Sequence, residues 1–175
     1  LAAALEGFEE SDDELVADHL IAAGVHDRGV TYLVRAADAA AKALAFDRAA
    51  RLYRRAFSFG EAGTNLDDIR RKLGDVLGNA GRGRESAMEY LAVKAENFAD
   101  ELELKRKAAQ HLLFSGHVDE GLSVVRTILA LTGVPYPETR RDTIIALLKA
   151  RLKLKFRGLK FRERSVGEIP VNELL

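Results

Sequence analysis

Residues 43–57 read ALAFDRAARLYRRAF. Ala49, Leu52, Tyr53, Ala56 and Phe57 recur at helical spacing, and the arginines between them take the other face. The apolar side is small at Ala49 and Ala56, where a core helix ordinarily carries leucine, and one large ring, Tyr53, stands a turn away. Small residues let two helix axes approach closely, and a ring one turn on fills the space beside such a crossing. Ala49 and Ala56 are therefore read as contact points between antiparallel helices, and the fold as all-α.

The same pattern extends in both directions. Upstream, Ser11 followed by Asp12, Asp13 and Glu14 reads as a capping box that opens a helix carrying Leu15, Val16, His19 and Leu20 and stopping at Gly24. A second helix runs from about Asp27 to Leu44, with Val30, Leu33, Val34, Ala37 and Ala40 on one face. Asp47 or the Phe46 turn opens the third. Helices are then expected at about 66–79, 82–98, 101–115, 118–132 and 138–157, separated by the glycine turns NAGRG, FSGH and LTGVPYP. No stretch before residue 150 alternates as a strand bounded by turns. The fold class predicted is all-α, with about eight helices in antiparallel pairs.

The turns also give a register. Gly24 is followed by Gly29, Leu33 and Ala36; Leu44 by Ala49, Tyr53 and Ala56; Gly116 by Gly121, Val125 and Ile128. All three series share the offsets 5, 9 and 12. Around Gly81 the pattern reads as slipped by one, with Ala87 and Leu91 at 6 and 10. The turns at 44, 81 and 116 lie 37 and 35 residues apart. Gly24, Gly29, Ala36, Ala49, Tyr53, Ala56, Leu73, Gly74, Gly81, Gly116 and Gly121 are the residues assigned to repeat packing.

In LGDVLGNAG, Leu73 to Gly81, the Leu73-Gly74 pair and the turn glycine Gly81 resemble the tetratricopeptide repeat, a helix pair of about 34 residues with a small residue opening its second helix. Arg70 and Leu77 stand where that family usually has tryptophan and tyrosine. The resemblance implies pairs stacked as a right-handed α-solenoid. Three longer stretches resemble something narrower. ELVADHLIAAGVHDRGVTYLVRAADAAAKALAFDRAARLYRRAF is similar to the helical segment following the ATPase module in bacterial signal-transduction ATPases. NAGRGRESAMEYLAVKAE and HLLFSGHVDEGLSVVRTILALTGVPYPETRRDTIIALLKARLKLKFRGLKFRER resemble the same region of large bacterial serine/threonine protein kinases, where a kinase domain and an AAA-type ATPase module precede tetratricopeptide-like helices. The likeness spans about residues 14–164. It implies a segment of such a signalling protein and transfers no catalytic residue.

Composition sets the outer limits. The 175 residues are 47% hydrophobic and 31% charged, which fits a globular chain, not a disordered one. Cysteine is absent, which removes disulfides and thiolate metal sites and makes a reducing, cytoplasmic setting the natural expectation. No apolar run reaches the roughly 18 residues of a membrane span, and no basic-then-apolar leader opens the chain. Beginning at Leu1, the chain reads as a fragment of a longer protein. Residues 1–10 form an acidic leader, 11–157 the helical-repeat domain, and 158–175 a basic, then irregular tail that reads as the start of further repeats cut short.

Chemistry is hard to place. GRG at 81–83 lacks the GK[ST] ending and preceding strand of a phosphate loop. His19, His26, His111 and His117 are scattered, the last two six apart instead of four. Asp67-Asp68 sits at a helix start, where the dipole favours acids. No catalytic residue, cofactor or metal ligand is assigned. The charge is uneven, however. Net charge is zero, yet Lys149, Arg151, Lys153, Lys155, Arg157, Lys160, Arg162 and Arg164 face a single acid, Glu163; that +7 leaves −7 on the other 159 residues. These eight bases are the candidate contacts for an anion or partner. Two functions stay open: a protein-interaction and regulatory scaffold taking a peptide, a partner domain or the parent's own ATPase or kinase domains, and a binder of nucleic acid or anionic membrane through 149–164. The acidic remainder weighs against a broad phosphate-binding face, and the scaffold, with no specific nucleic acid, is the reading preferred. Helix is expected to about Phe156, with a turn at Gly158.

Overall fold

A computed structural model describes residues 12–60, 64–137 and 139–157. Among them the chain is all-helical, with no strand: α1 Asp13–Ala22, α2 His26–Lys42, α3 Phe46–Phe59, α4 Leu66–Asn79, α5 Gly83–Ala92, α6 Phe98–Phe114, α7 Val118–Leu131 and α8 Arg140–Arg157. The chain divides into two compact units, residues 1–128 and 129–175. The division falls inside α7.

Helix starts are set by short polar side chains that satisfy the first free amides. Asp12 Oδ1 accepts from Glu14 N–H at 3.0 Å, so Asp12 is the cap of α1 where the sequence reading gave that role to Ser11. Glu14 pairs with Arg48 and Arg55 of α3, and Ser11, the other member of the expected capping box, lies outside the described residues. Asn65 and Asn97 cap α4 and α6 in the same way. The reciprocal box belongs to α8: Thr139 Oγ1 accepts from Asp142 N–H, and Thr139 N–H donates to the Asp142 carboxylate, both at 3.2 Å.

Five helix ends are alike. The amides of Val25, Ala45, Arg82, His117 and Val134 each donate to the carbonyl five residues back, all at 2.9 Å, and the residue before each has left-handed backbone. Those residues are Gly24, Leu44, Gly81, Gly116 and Gly133; this is the Schellman stop. A Cβ on Gly24, Gly81 or Gly116 would meet nothing within 4 Å. Their contribution is conformational, whereas packing was the role assigned to them. Helix α5 stops at Ala92, six residues before the expected end. Arg70 takes the Ala92 carbonyl at 2.8 Å, Asp67 takes the Lys94 amide at 3.0 Å, and Asn97 restarts the helix.

Within the first unit, α1 packs on α2, α2 on α3, α3 on α4, α4 on α5 and α5 on α6. Ala17, Leu33, Ala37, Ala49, Leu52, Tyr53, Ala56, Leu73 and Leu77 form the larger core; Ala87, Tyr90, Val93, Leu104, Ala108 and Leu112 form a second cluster. Gly29, Ala36, Gly74 and Gly121 are buried as well. Full burial of a leucine stabilises by about 1.5–3 kcal/mol. The small residues sit where backbones are close: a Cβ on Gly74 would lie 3.0 Å from the Tyr90 ring, and one on Gly121 would lie 2.8 Å from Leu113.

The register does not slip at Gly81. Ser86 and Tyr90, at offsets 5 and 9, are 0% and 1% exposed, and Val93 at offset 12 is also buried, whereas Leu91 is 47% exposed. Ser86 thus takes the place that the slipped register gave to Ala87. Its hydroxyl donates to the Gly74 carbonyl at 2.7 Å, which lets it fill an alanine position without an unmet hydrogen bond.

Candidate interaction surfaces

A groove of about 500 Å³ lies between α2 and the start of α4. Helical spacing brings Asp27, Val30, Thr31, Val34 and Arg35 to its α2 side, and the capping turn supplies Thr64, Asn65, Asp68 and Ile69. Val30 and Ile69 are buried and Val34 half-buried, giving an apolar floor; Asp27, Thr31, Arg35, Asn65 and Asp68 are exposed and form a polar rim. Arg35 is held by Asp13 at 3.3 Å and lies over the Tyr32 ring, its Cζ 5.0 Å from the centroid.

Beside this groove runs a repeated set of clasps. Tyr53 Oη donates to Asp38 Oδ1, and Lys72 Nζ reaches the same carboxylate at 3.2 Å. Further along the chain, Tyr90 Oη donates to Asp75 Oδ1 and Lys107 Nζ reaches that oxygen at 3.2 Å. Each clasp joins the two helices of a pair to the first helix of the next. Burial, then the hydrogen bond to an aspartate, pushes both phenols far above their ordinary value of 10. The two tyrosines are thus neutral donors throughout the physiological range.

Other ties follow the same step. Arg48 and Arg55 reach Glu14, Arg54 reaches Glu85, and Arg84 reaches Glu120. Arg71 grips Asp100 with two bonds of 2.7 Å; that grip, with the Glu96 amide, holds the Asp100 carboxyl below the usual range. Sequence reasoning missed the clasps. The signal was present as RAAD at 35–38, KLGD at 72–75 and KAAQ at 107–110, a base and a polar acceptor three apart, recurring every 37 and 35 residues.

The histidines do not converge. His111 stacks on Tyr90, centroids 5.7 Å apart, in a slot left open by Gly78, and burial lowers its pKa. His117 Nδ1 lies 3.0 Å from Ser115 Oγ, and His26 tilts against Phe59. Gly83 of the GRG cluster is buried against the His111 carbonyl and Ser115, which is a packing contact. Among the described residues no three His, Cys, Asp or Glu side chains are grouped to hold a metal ion. No described helix is long and apolar enough to cross a membrane.

The basic segment is helical through Arg157. Lys149, Arg151, Lys153, Lys155 and Arg157 are exposed, and none makes an ion pair among the described residues. Lys160, Arg162 and Arg164, with the turn expected at Gly158, lie outside the described residues. No model of a protein family, no curated protein and no solved structure matches this chain.

Proposed function

We propose that this chain is a non-catalytic protein-interaction and regulatory segment, a tetratricopeptide-like α-solenoid whose first helices line a peptide-binding face. The groove between α2 and α4 carries the reading. Its apolar floor of Val30, Val34 and Ile69 under a polar rim is the usual make-up of a ligand site, and its volume suits one or two partner side chains. The clasps support it, because Asp38, Lys72, Asp75 and Lys107 fix neighbouring helices in register and so preorganise the surface they share. The resemblance of residues 14–164 to the helical region of bacterial kinase–ATPase signalling proteins adds a context, in which the occupant is a cytoplasmic partner or one of the parent's own domains.

The test is selection of binders from a random-peptide library, followed by substitution in the groove. Thr31→Arg, at the exposed rim, and Val34→Glu, at the half-buried floor, are expected to weaken selected peptides at least about tenfold, or 1.4 kcal/mol, with circular dichroism unchanged from the parent. Binders indifferent to both changes would refute the groove. The chain is also expected to hydrolyse no ATP; turnover abolished by one of its own substitutions would refute the non-catalytic reading.

A further inference from the structure

We infer that α8 is a docking helix for an acidic helical partner that covers it from two sides. All seven of its large apolar residues are exposed, from 48% at Ile145 to 83% at Phe156. At roughly 100° per residue they fall on two faces. Ile144, Ile145, Leu148, Leu152 and Phe156 share one arc; Leu147 and Leu154, with Ala146, Ala150 and Thr143, share another on the far side. Lys149 and Lys153 separate the faces on one flank and Arg140 and Arg151 on the other; Arg141 falls within the first face at its N-terminal turn, Lys155 within it near the C-terminal end, and Arg157 within the second face at its C-terminal end. A helix that is apolar on two sides is a helix made to be packed on two sides. Such is the position of α4, which packs on both α3 and α5.

Charge decides the partner. Helices of the first unit carry both signs, and helices two apart in the chain exchange ion pairs: Arg54 with Glu85, Arg71 with Asp100, Lys107 with Asp75. Helix α8 has seven bases and one acid, and that acid, Asp142, is taken by Thr139 in the capping box. The carboxylates must come from outside α8. A cleft of about 610 Å³ between Pro135-Tyr136-Pro137 and Asp142, Ile145, Ala146 and Lys149 gives a partner side chain a seat beside the first turns. An anionic bilayer supplies the charge but covers one side of an interfacial helix, leaving Leu147 and Leu154 in water. A nucleic acid supplies charge and covers neither apolar face. A pair of amphipathic helices flanked by glutamate or aspartate satisfies both faces and the bases together.

The experiment uses the full 175-residue chain and a synthetic two-helix hairpin with leucine heptads and glutamates at the flanking positions, plus a lysine-flanked counterpart. Fluorescence anisotropy at physiological salt is expected to show binding of the glutamate hairpin only. Reversal at Lys149→Glu, Lys153→Glu and Arg157→Glu, which leaves α8 with four bases and four acids, should abolish that preference. Leu148→Ser with Leu152→Ser, and separately Leu147→Ser with Leu154→Ser, should each weaken binding at least about tenfold. These side chains are exposed, so the variants should keep the circular dichroism of the parent. Indifference of either face, or tighter binding to phosphatidylserine-containing vesicles or duplex RNA than to the glutamate hairpin, would overturn the inference.

Discussion

Leu44 is the one non-glycine residue among the described residues with left-handed backbone, at φ 60°, in a place where the other four turns use glycine. A Cβ in that conformation costs about 1–2 kcal/mol, and glycine gives back about 0.5–1 kcal/mol through its freer unfolded chain. The side chain is 73% exposed, so little burial is lost on removing it. Leu44→Gly should therefore raise stability by about 0.5–1 kcal/mol, read as a higher urea midpoint with unchanged slope. The tyrosines make a second prediction at this scale. Tyr53 and Tyr90 have folded pKa values raised above 10. Above that pH the unfolded chain releases protons that the folded chain keeps, so the stability they contribute is present below pH 10 and lost as pH rises beyond it. Urea midpoints should fall above pH 10 in the parent and fall less steeply in the Tyr53→Phe, Tyr90→Phe double variant.

Among the helices, the contact of α4 with α6 turns on one missing side chain. A Cβ on Gly78 would lie 2.2 Å from the His111 ring, so Gly78→Ala should destabilise by about 1–3 kcal/mol. In a His111→Ala background the same change should become neutral or gain up to about 1 kcal/mol of helix propensity. Additive melts for the two changes would remove the slot from the account. This contact also marks where the sequence ceased to be readable. Helix existence followed from apolar spacing and glycine stops, because both are local. The end of α5 at Ala92 did not, because Arg70 and Asp67, more than twenty residues away, supply the groups that end it. Ser86 was unreadable for a similar reason: its acceptability in the core depends on a carbonyl twelve residues back. The α2–α4 groove has no one-dimensional signature, since its two walls are more than twenty residues apart and ordinary in composition. The base-and-acceptor pairs of the clasps did have one, in the recurrence of Arg35, Lys72 and Lys107.

At the scale of the molecule, the net charge of zero is a poor guide, since residues 1–128 carry −5 and residues 129–175 carry +5. None of the side chains of α8 is buried. Truncation after Arg141 should therefore leave the urea midpoint of the first unit unchanged within about 0.5 kcal/mol while removing seven exposed apolar residues that promote association. A midpoint that falls by more would mean that α8 supports the first unit after all.

Among the described residues of the first unit, helix packing runs between chain neighbours, and side-chain ties reach one helix further. A tether pulled from both ends of that unit would have no distant seam to rupture at once. Tension would instead strip the chain a pair at a time, in steps of the 35 to 37 residues that separate its turns. Each step would release roughly 120 Å of contour, at about 3.3–3.6 Å per residue, and whatever remained would keep its own turns, clasps and core contacts. A partner gripping one pair could then hold on while the rest of the molecule yields like a spring.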